Sequence, residues 1–177
     1  MEGTSLVKAR LDSATMTMTV LYKANLSAAN LHGARLHHAV LIDAQLSRAD
    51  LQKADLTEIY APKAHLQQAR LADANLELAN LVDADLSQAD ISHAIVVQTN
   101  LQEANLRGAN LSHSDLTGAQ LNNADLQQAN LRGANLSGAL GLVQAQLDLA
   151  CLDEATQIPV DLQRPKACPS PRQRKKS

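Results

Sequence analysis

The run Ala24-Asn25-Leu26-Ser27-Ala28 returns eighty residues later as Ala104-Asn105-Leu106-Arg107-Gly108. Counting outward in fives from Leu26, with the central residue called i, one phase holds from Leu6 to Leu136 through 27 units without an insertion. Position i is Leu in 23 of the 27, the exceptions being Met16, Ala61, Ile91 and Val96. Position i−2 is Ala in 22, the others being Thr4, Thr19, Ile59, Thr99 and Ser114. Two positions in every five are therefore apolar, and they keep the same places.

Neither regular secondary structure accepts this period. On a helix, five steps rotate successive leucines by about 140° and scatter them around the axis. On a flat strand, i−2 and i share a face, but the next Leu falls on the opposite one. The chain must turn once in each unit. Gly33, Gly108, Gly118, Gly133 and Gly138 all occupy i+2, which marks i+2 as a position of positive φ. Asn and Asp crowd i−1, as at Asn25, Asn30, Asp50, Asp55, Asp85, Asn105 and Asn110, where short polar side chains bond nearby backbone or stack in ladders.

The units just quoted resemble the A(D/N)LXX consensus of the pentapeptide-repeat family, over roughly residues 4 to 140. The resemblance implies an all-β fold, a right-handed quadrilateral parallel β-helix with four pentapeptides per coil. Leu at i and Ala at i−2 would fill the interior, and i−1, i+1 and i+2 would face solvent. Uninterrupted, Leu-rich members of this type are abundant in cyanobacteria and other bacteria.

At four units per coil, residues twenty apart should stack about 4.8 Å apart on neighbouring rungs, where like charges repel. The i+2 positions Lys23, Asp43, Lys63, Asp83, Glu103 and Asn123 largely alternate in sign, as do Asp50, Arg70 and Asp90 at i−1. Arg35 with Asp55 and Lys53 with Asp73 fit the same stacking, and Asp83 beside Glu103 does not. The 27 units make just under seven coils, a rod of ~32 Å at strand spacing. At Ile59-Tyr60-Ala61 the large and small inward residues change places, which calls for a local adjustment without a break in phase.

Composition agrees with a narrow, repetitive core. The chain has 177 residues, no Phe, no Trp and only two Tyr, although 45% of it is apolar. A net charge of −2, with both signs interspersed, gives no field that would draw nucleic acid. No apolar run approaches the ~18 residues needed to span a bilayer, and a soluble cytoplasmic chain with no membrane partner is expected. Cys151 and Cys168 lack metal-type spacing and are read as free thiols.

Three segments follow: residues 1–140 as the repeat domain, 141–162 as a C-terminal helical cap, and 163–177 as a disordered basic tail containing proline. Within the second, Leu142, Val143, Ala145, Leu147, Leu149 and Ala150 shift toward helical spacing, and a short helix is expected to close the last coil. Residues 141–148 and 153–159 are also similar to the closing segment of many bacterial family members. The tail carries Arg172, Arg174, Lys175 and Lys176.

One outward surface departs from the polar pattern. Val20, Val40 and Tyr60 stack at i−1 beside Tyr22, Ile42, Pro62 and Val82 at i+1, an apolar strip on one side that holds both tyrosines. Contiguous exposed apolar surface marks interaction sites. The competing reading is β-branched packing on a sheet surface with no partner. His32, His37 and His38 gather near one corner, His93 and His113 stack on adjacent rungs, and His65 stands apart. Exposed imidazoles without a convergent second shell predict no metal site, and no cofactor is expected.

For catalysis the chain offers no phosphate loop, no nucleophile elbow and no Cys and His placed to meet. The expected function is a non-enzymatic interaction or scaffold module for a protein partner, with self-association through the strip or the first coil as one route. The resemblance supplies a second class, the DNA-mimicking proteins that bind type II topoisomerases and protect them from quinolones. This sequence departs from that group in lacking central Phe, projecting loops and a continuous acidic stripe. A purely structural role is the third.

Overall fold

The computed structural model describes residues 2–165 and Cys168. Parallel bridges join i−1 residues twenty apart, from Ser5 with Asn25 through Gln120 with Leu140. Four consecutive bridges, at Ser5, Arg10, Thr15 and Val20, carry the chain once around a four-sided coil. The Leu6 N–H donates to Asn25 O at 2.7 Å, and the Asn25 N–H donates to Thr4 O at 2.8 Å. That pair of bonds recurs from coil to coil, so the sheets run along the rod and are built from one bridged residue per unit.

Each corner is a β-turn closed by a bond from the N–H of i+3 to the carbonyl of i, as from Ala24 to Leu21 at 3.0 Å. Only its second central residue, i+2, has positive φ, as in a type II turn. All 27 of these positions adopt it, with φ between 53° and 67°, although only five are glycine. A side chain there costs about 1 kcal/mol. The offset is a further inter-coil bond, because the N–H of i+2 donates to i+1 of the next coil, as Lys23 does to Ile42 at 2.9 Å.

The core is a column of leucine and alanine. Every central residue from Leu21 to Leu136 is buried, with the i−2 residues between them. A fully buried Leu contributes about 1.5–3 kcal/mol relative to exposure. Of the four polar residues at i−2, the two that are buried are satisfied by carbonyls: Thr99 Oγ1 donates to Leu76 O at 2.7 Å, and Ser114 Oγ donates to Leu111 O at 2.6 Å. At the exchanged unit, Ile59 and Ala61 are both buried, and the bridges Val40 with Tyr60 and Tyr60 with Asn80 continue through it. The adjustment is a void of about 10 Å³ beside Ile59 and Ala61.

The Asx residues at i−1 act as turn residues. Asn25 Oδ1 accepts from the Ser27 N–H at 3.0 Å, and Asp85 Oδ1 from the Ser87 N–H at 2.9 Å. Neighbouring rungs link as well, with Asn105 Nδ2 donating to Asp85 Oδ1 at 3.1 Å. Of the anticipated charge stacks, Asp50 and Arg70 pair at 2.9 Å. Arg35 bridges Asp55 through the backbone without an ion pair, and Arg107 pairs diagonally with Asp125 at 3.0 Å.

Past Leu140 the chain is less helical than its spacing predicts. The helix covers Gln144–Leu147 alone, at the place that would otherwise bridge Asp125. Gln146 explains its seat: Nε2 donates to Leu121 O and Ala124 O at 2.8 and 2.9 Å, while Leu147 is buried. The chain then rejoins the ladder, Cys151 bridging Asn130 and Gln157 bridging Asn135. The reading of two free thiols is corrected, because Cys151 and Cys168 form a disulfide with Cα atoms 4.5 Å apart. Linear spacing concealed this because residues 152–165 fold back over the rod end, held where Arg164 Nη2 donates to Thr156 O at 2.6 Å. Of the basic tail expected over residues 163–177, Gln163, Arg164 and Cys168 are held against the rod end by hydrogen bonds and the disulfide, and residues 166, 167 and 169–177 lie outside the described residues.

Candidate functional site

The strip expected from the sequence assembles on one side. Val20 bridges Val40, and Val40 bridges Tyr60, so their side chains form a column at strand spacing. Val20 is 50% exposed and Tyr60 47%. Val40 lies between them, half-buried. The second column, Tyr22, Ile42, Pro62 and Val82, is half-buried throughout. Asn80 ends the first column, since it bridges Tyr60 and caps the Val82 N–H at 3.2 Å.

Local chemistry explains why polar caps are missing here. Elsewhere an Asx at i−1 accepts the N–H of i+1, but Val20, Val40 and Tyr60 offer no side-chain acceptor for it. Pro62 has no N–H to satisfy, so it fits the position that Tyr60 leaves uncapped. Its fixed φ also suits the first central position of the turn.

Charges rim the strip at i+2. Lys23, Asp43, Lys63 and Asp83 follow the second column in alternating sign. Lys23 Nζ lies 4.9 Å from the centroid of the Tyr22 ring. The Tyr22 side chain, ahead of the small opposing effect of burial, holds that ammonium above the ordinary lysine value.

Sequence reasoning missed two members. Met18 is 70% exposed and Leu78 46%, both at i+2 on the corner leading into the strip. Their signal was available, since Met18 lies two residues before Val20 and Leu78 two before Asn80, the residue that ends the first column. The same corner carries His38 and Glu58, with His38 Nδ1 3.5 Å from Glu58 Oε2. His37 and His38 have ring centroids 3.8 Å apart, and His93 stacks on His113 at 5.0 Å. His32 is not part of the His37, His38 and Glu58 group. A different side is a polar ladder, with Ser47 Oγ donating to Gln67 at 2.7 Å and Arg48 Nε to Gln68 at 2.9 Å. No helix among the described residues is long and apolar enough to cross a membrane.

Bridges at intervals of twenty, one turn per five residues and a Leu and Ala column meet a family model for pentapeptide repeats, matched in 8 copies over residues 19–58, 63–96 and 99–138. The chain belongs to the pentapeptide-repeat family. Its four-sided ladder is accordingly a right-handed quadrilateral β-helix. Members of this family are generally structural or interaction proteins without catalytic activity.

Among solved structures the chain is similar to HetL, a pentapeptide repeat protein involved in heterocyst differentiation regulation from the cyanobacterium Nostoc sp. strain PCC 7120. Identity is 29%, the TM-score is 0.39, and the match covers 95% of this chain and 84% of HetL. It is also similar to a trypsin-treated form of QnrB1, a plasmid-mediated fluoroquinolone resistance protein. There identity is 20% and the TM-score 0.53, over 87% of this chain and 91% of the other. Rfr23 from the cyanobacterium Cyanothece 51142 is 32% identical over 64% of this chain and 63% of its own, with a TM-score of 0.22. No curated protein matches the chain.

Proposed function

We propose that this pentapeptide-repeat protein is a non-enzymatic interaction module that binds a protein partner through the apolar strip. Its rod consists of just under seven coils, from 27 units at four per coil, closed at the C-terminal end by the segment that carries the helix. The observation that carries the reading is the column Val20, Val40 and Tyr60, whose outer members are half-exposed beside a second apolar column. A rigid face loses little conformational entropy on binding. The Cys151–Cys168 disulfide favours an oxidising compartment for the module over the cytoplasm expected from composition.

Self-association through the first coil is the second reading. It rests on Leu6, Leu11 and Met16, which are only partly buried, whereas every central residue from Leu21 onward is buried. DNA mimicry of the quinolone-resistance type has weaker support, because Lys23, Asp43, Lys63 and Asp83 alternate in sign along their corner and Arg70 stands between Asp50 and Asp90 on another side, so neither column is an acidic stripe.

The test is the double variant Val40→Lys and Ile42→Lys, first shown to be folded by its melting curve. Proteins retained from source-cell lysate are identified beside wild type, and the mass of the isolated chain is measured by sedimentation. Loss of retained partners, or of self-association, supports the strip. Unchanged retention together with unchanged mass overturns it, and a dimer that survives the double variant points to the first coil.

A further inference from the structure

The corner that leads into the apolar strip brings three metal-ligating side chains together from two adjacent coils. His37 and His38 are the two central residues of one turn, and Glu58 stands twenty residues beyond His38 at the equivalent corner. One donor atom from each of the three lies within 4.8 Å of the other two. We propose that His37, His38 and Glu58 form a binding site for a divalent transition-metal cation of the zinc class.

The donor set has the right chemistry. Two imidazoles and one carboxylate are a ligand combination that zinc takes in protein sites with an open fourth position. With bonds of about 2.0–2.1 Å, tetrahedral ligands stand about 3.3–3.4 Å from one another. His38 Nδ1 and Glu58 Oε2, 3.5 Å apart, already sit at nearly that separation. The two pairs that involve half-buried His37 lie within 4.8 Å, so each needs to close by at most roughly 1.5 Å to reach that spacing.

The backbone beneath the site is fixed. His38 and Glu58 both occupy the left-handed position of their turns, at φ 57° and 55°. The His38 N–H donates to Thr57 O at 3.1 Å, which locks the two corners in register. His93 and His113 stand on the same backbone arrangement, at φ 58° and 59° with the His93 N–H donating to Ser112 O at 3.0 Å, but have no carboxylate grouped with them among the described residues.

Position gives the site a consequence. Val40 and Tyr60 follow His38 and Glu58 by two residues on the same two coils, so the cluster borders the strip. Three protein ligands leave a coordination position for water or for a side chain of a docked partner. The site itself rests on its own geometry and stands whether or not the strip binds a protein.

Isothermal titration of zinc chloride into the untagged full chain tests the proposal. Wild type should bind one zinc per chain with micromolar affinity. His38→Gly, which suits the left-handed backbone there, and Glu58→Gln should each weaken binding by about tenfold or more. His113→Ala should bind as wild type does. Melting curves confirm that each variant is folded. Absence of saturable binding by wild type up to about 1 mM zinc overturns the proposal. So does affinity unchanged in both His38→Gly and Glu58→Gln, because the metal would then sit elsewhere.

Discussion

Asp153 accepts the Gly133 N–H at 2.9 Å, standing twenty residues beyond it in the place of a backbone carbonyl from a further coil. One carboxylate thereby continues the inter-coil bonding at the rod end. The same carboxylate accepts from the Thr156 N–H at 3.0 Å, and Thr156 Oγ1 reaches Leu131 O at 3.0 Å.

That arrangement makes the rod end sensitive to acid. The Gly133 N–H holds the Asp153 carboxyl below its ordinary value of 3.8, against a smaller opposing effect of burial. At Asp85, burial opposes, but hydrogen bonds from Ser87 and Gln67 and the charge of His65 together lower it. A carboxyl whose folded value is depressed adds stability above the unfolded value and loses it as pH falls through the folded one. Urea midpoints should therefore hold from pH 7 to 5 and fall below about pH 4. The Asp85→Asn variant should show a shallower fall, and an identical fall would remove Asp85 from the account.

Two turn glycines separate backbone strain from crowding. Gly138 has φ 66° and open space where a Cβ would stand. Gly138→Ala should cost about 1 kcal/mol, the strain of a left-handed alanine. At Gly133, φ 67°, a Cβ would stand 2.5 Å from His113 Nδ1, so Gly133→Ala should cost more. Adding His113→Ala should return it to the Gly138 value in thermal melts; equal costs in both single variants would contradict this reading of the corner.

The exchanged unit offers a core test. Ile59→Ala alone should destabilise by about 2–4 kcal/mol, because it leaves two small residues beside an existing void. Ile59→Ala with Ala61→Leu restores the common pattern and should recover most of that loss. A double variant no more stable than Ile59→Ala would show that the backbone here is specialised for the exchange.

The disulfide closes a loop with a sequence separation of 17. Reduction, or Cys168→Ser, should lower stability by up to about 3 kcal/mol on the chain-entropy estimate. Hydrogen exchange should locate the loosening around residues 150–165 and leave coils near Leu51 protected. Loosening throughout the rod would show that this clasp controls the whole ladder.

The positions of turn, core and ladder were legible because each is repeated. Gly33 and Gly108 disclosed a left-handed position that Lys63 and Leu78 also adopt without glycine, since the inter-coil bonds impose it on any residue. The strip was legible for the same reason, as residues twenty apart share a column, although Met18 and Leu78 on its corner were overlooked. Charge pairing was less so. Arg35 and Asp55 stack without an ion pair because bridge register places backbones, while exposed side chains choose among several neighbours.

By itself, the sequence determined a chain that turns every five residues with Leu and Ala inward, because no helix or flat strand buries that period. Tertiary structure alone decided which side chains meet across coils and at the rod end. Glu58 joins His37 and His38, Asp153 replaces a missing carbonyl, and Cys168 returns to Cys151. A repeat specifies its own unit locally. Contacts between unlike side chains, and those made by a segment outside the repeat, depend on rotamers and a return path that no period encodes.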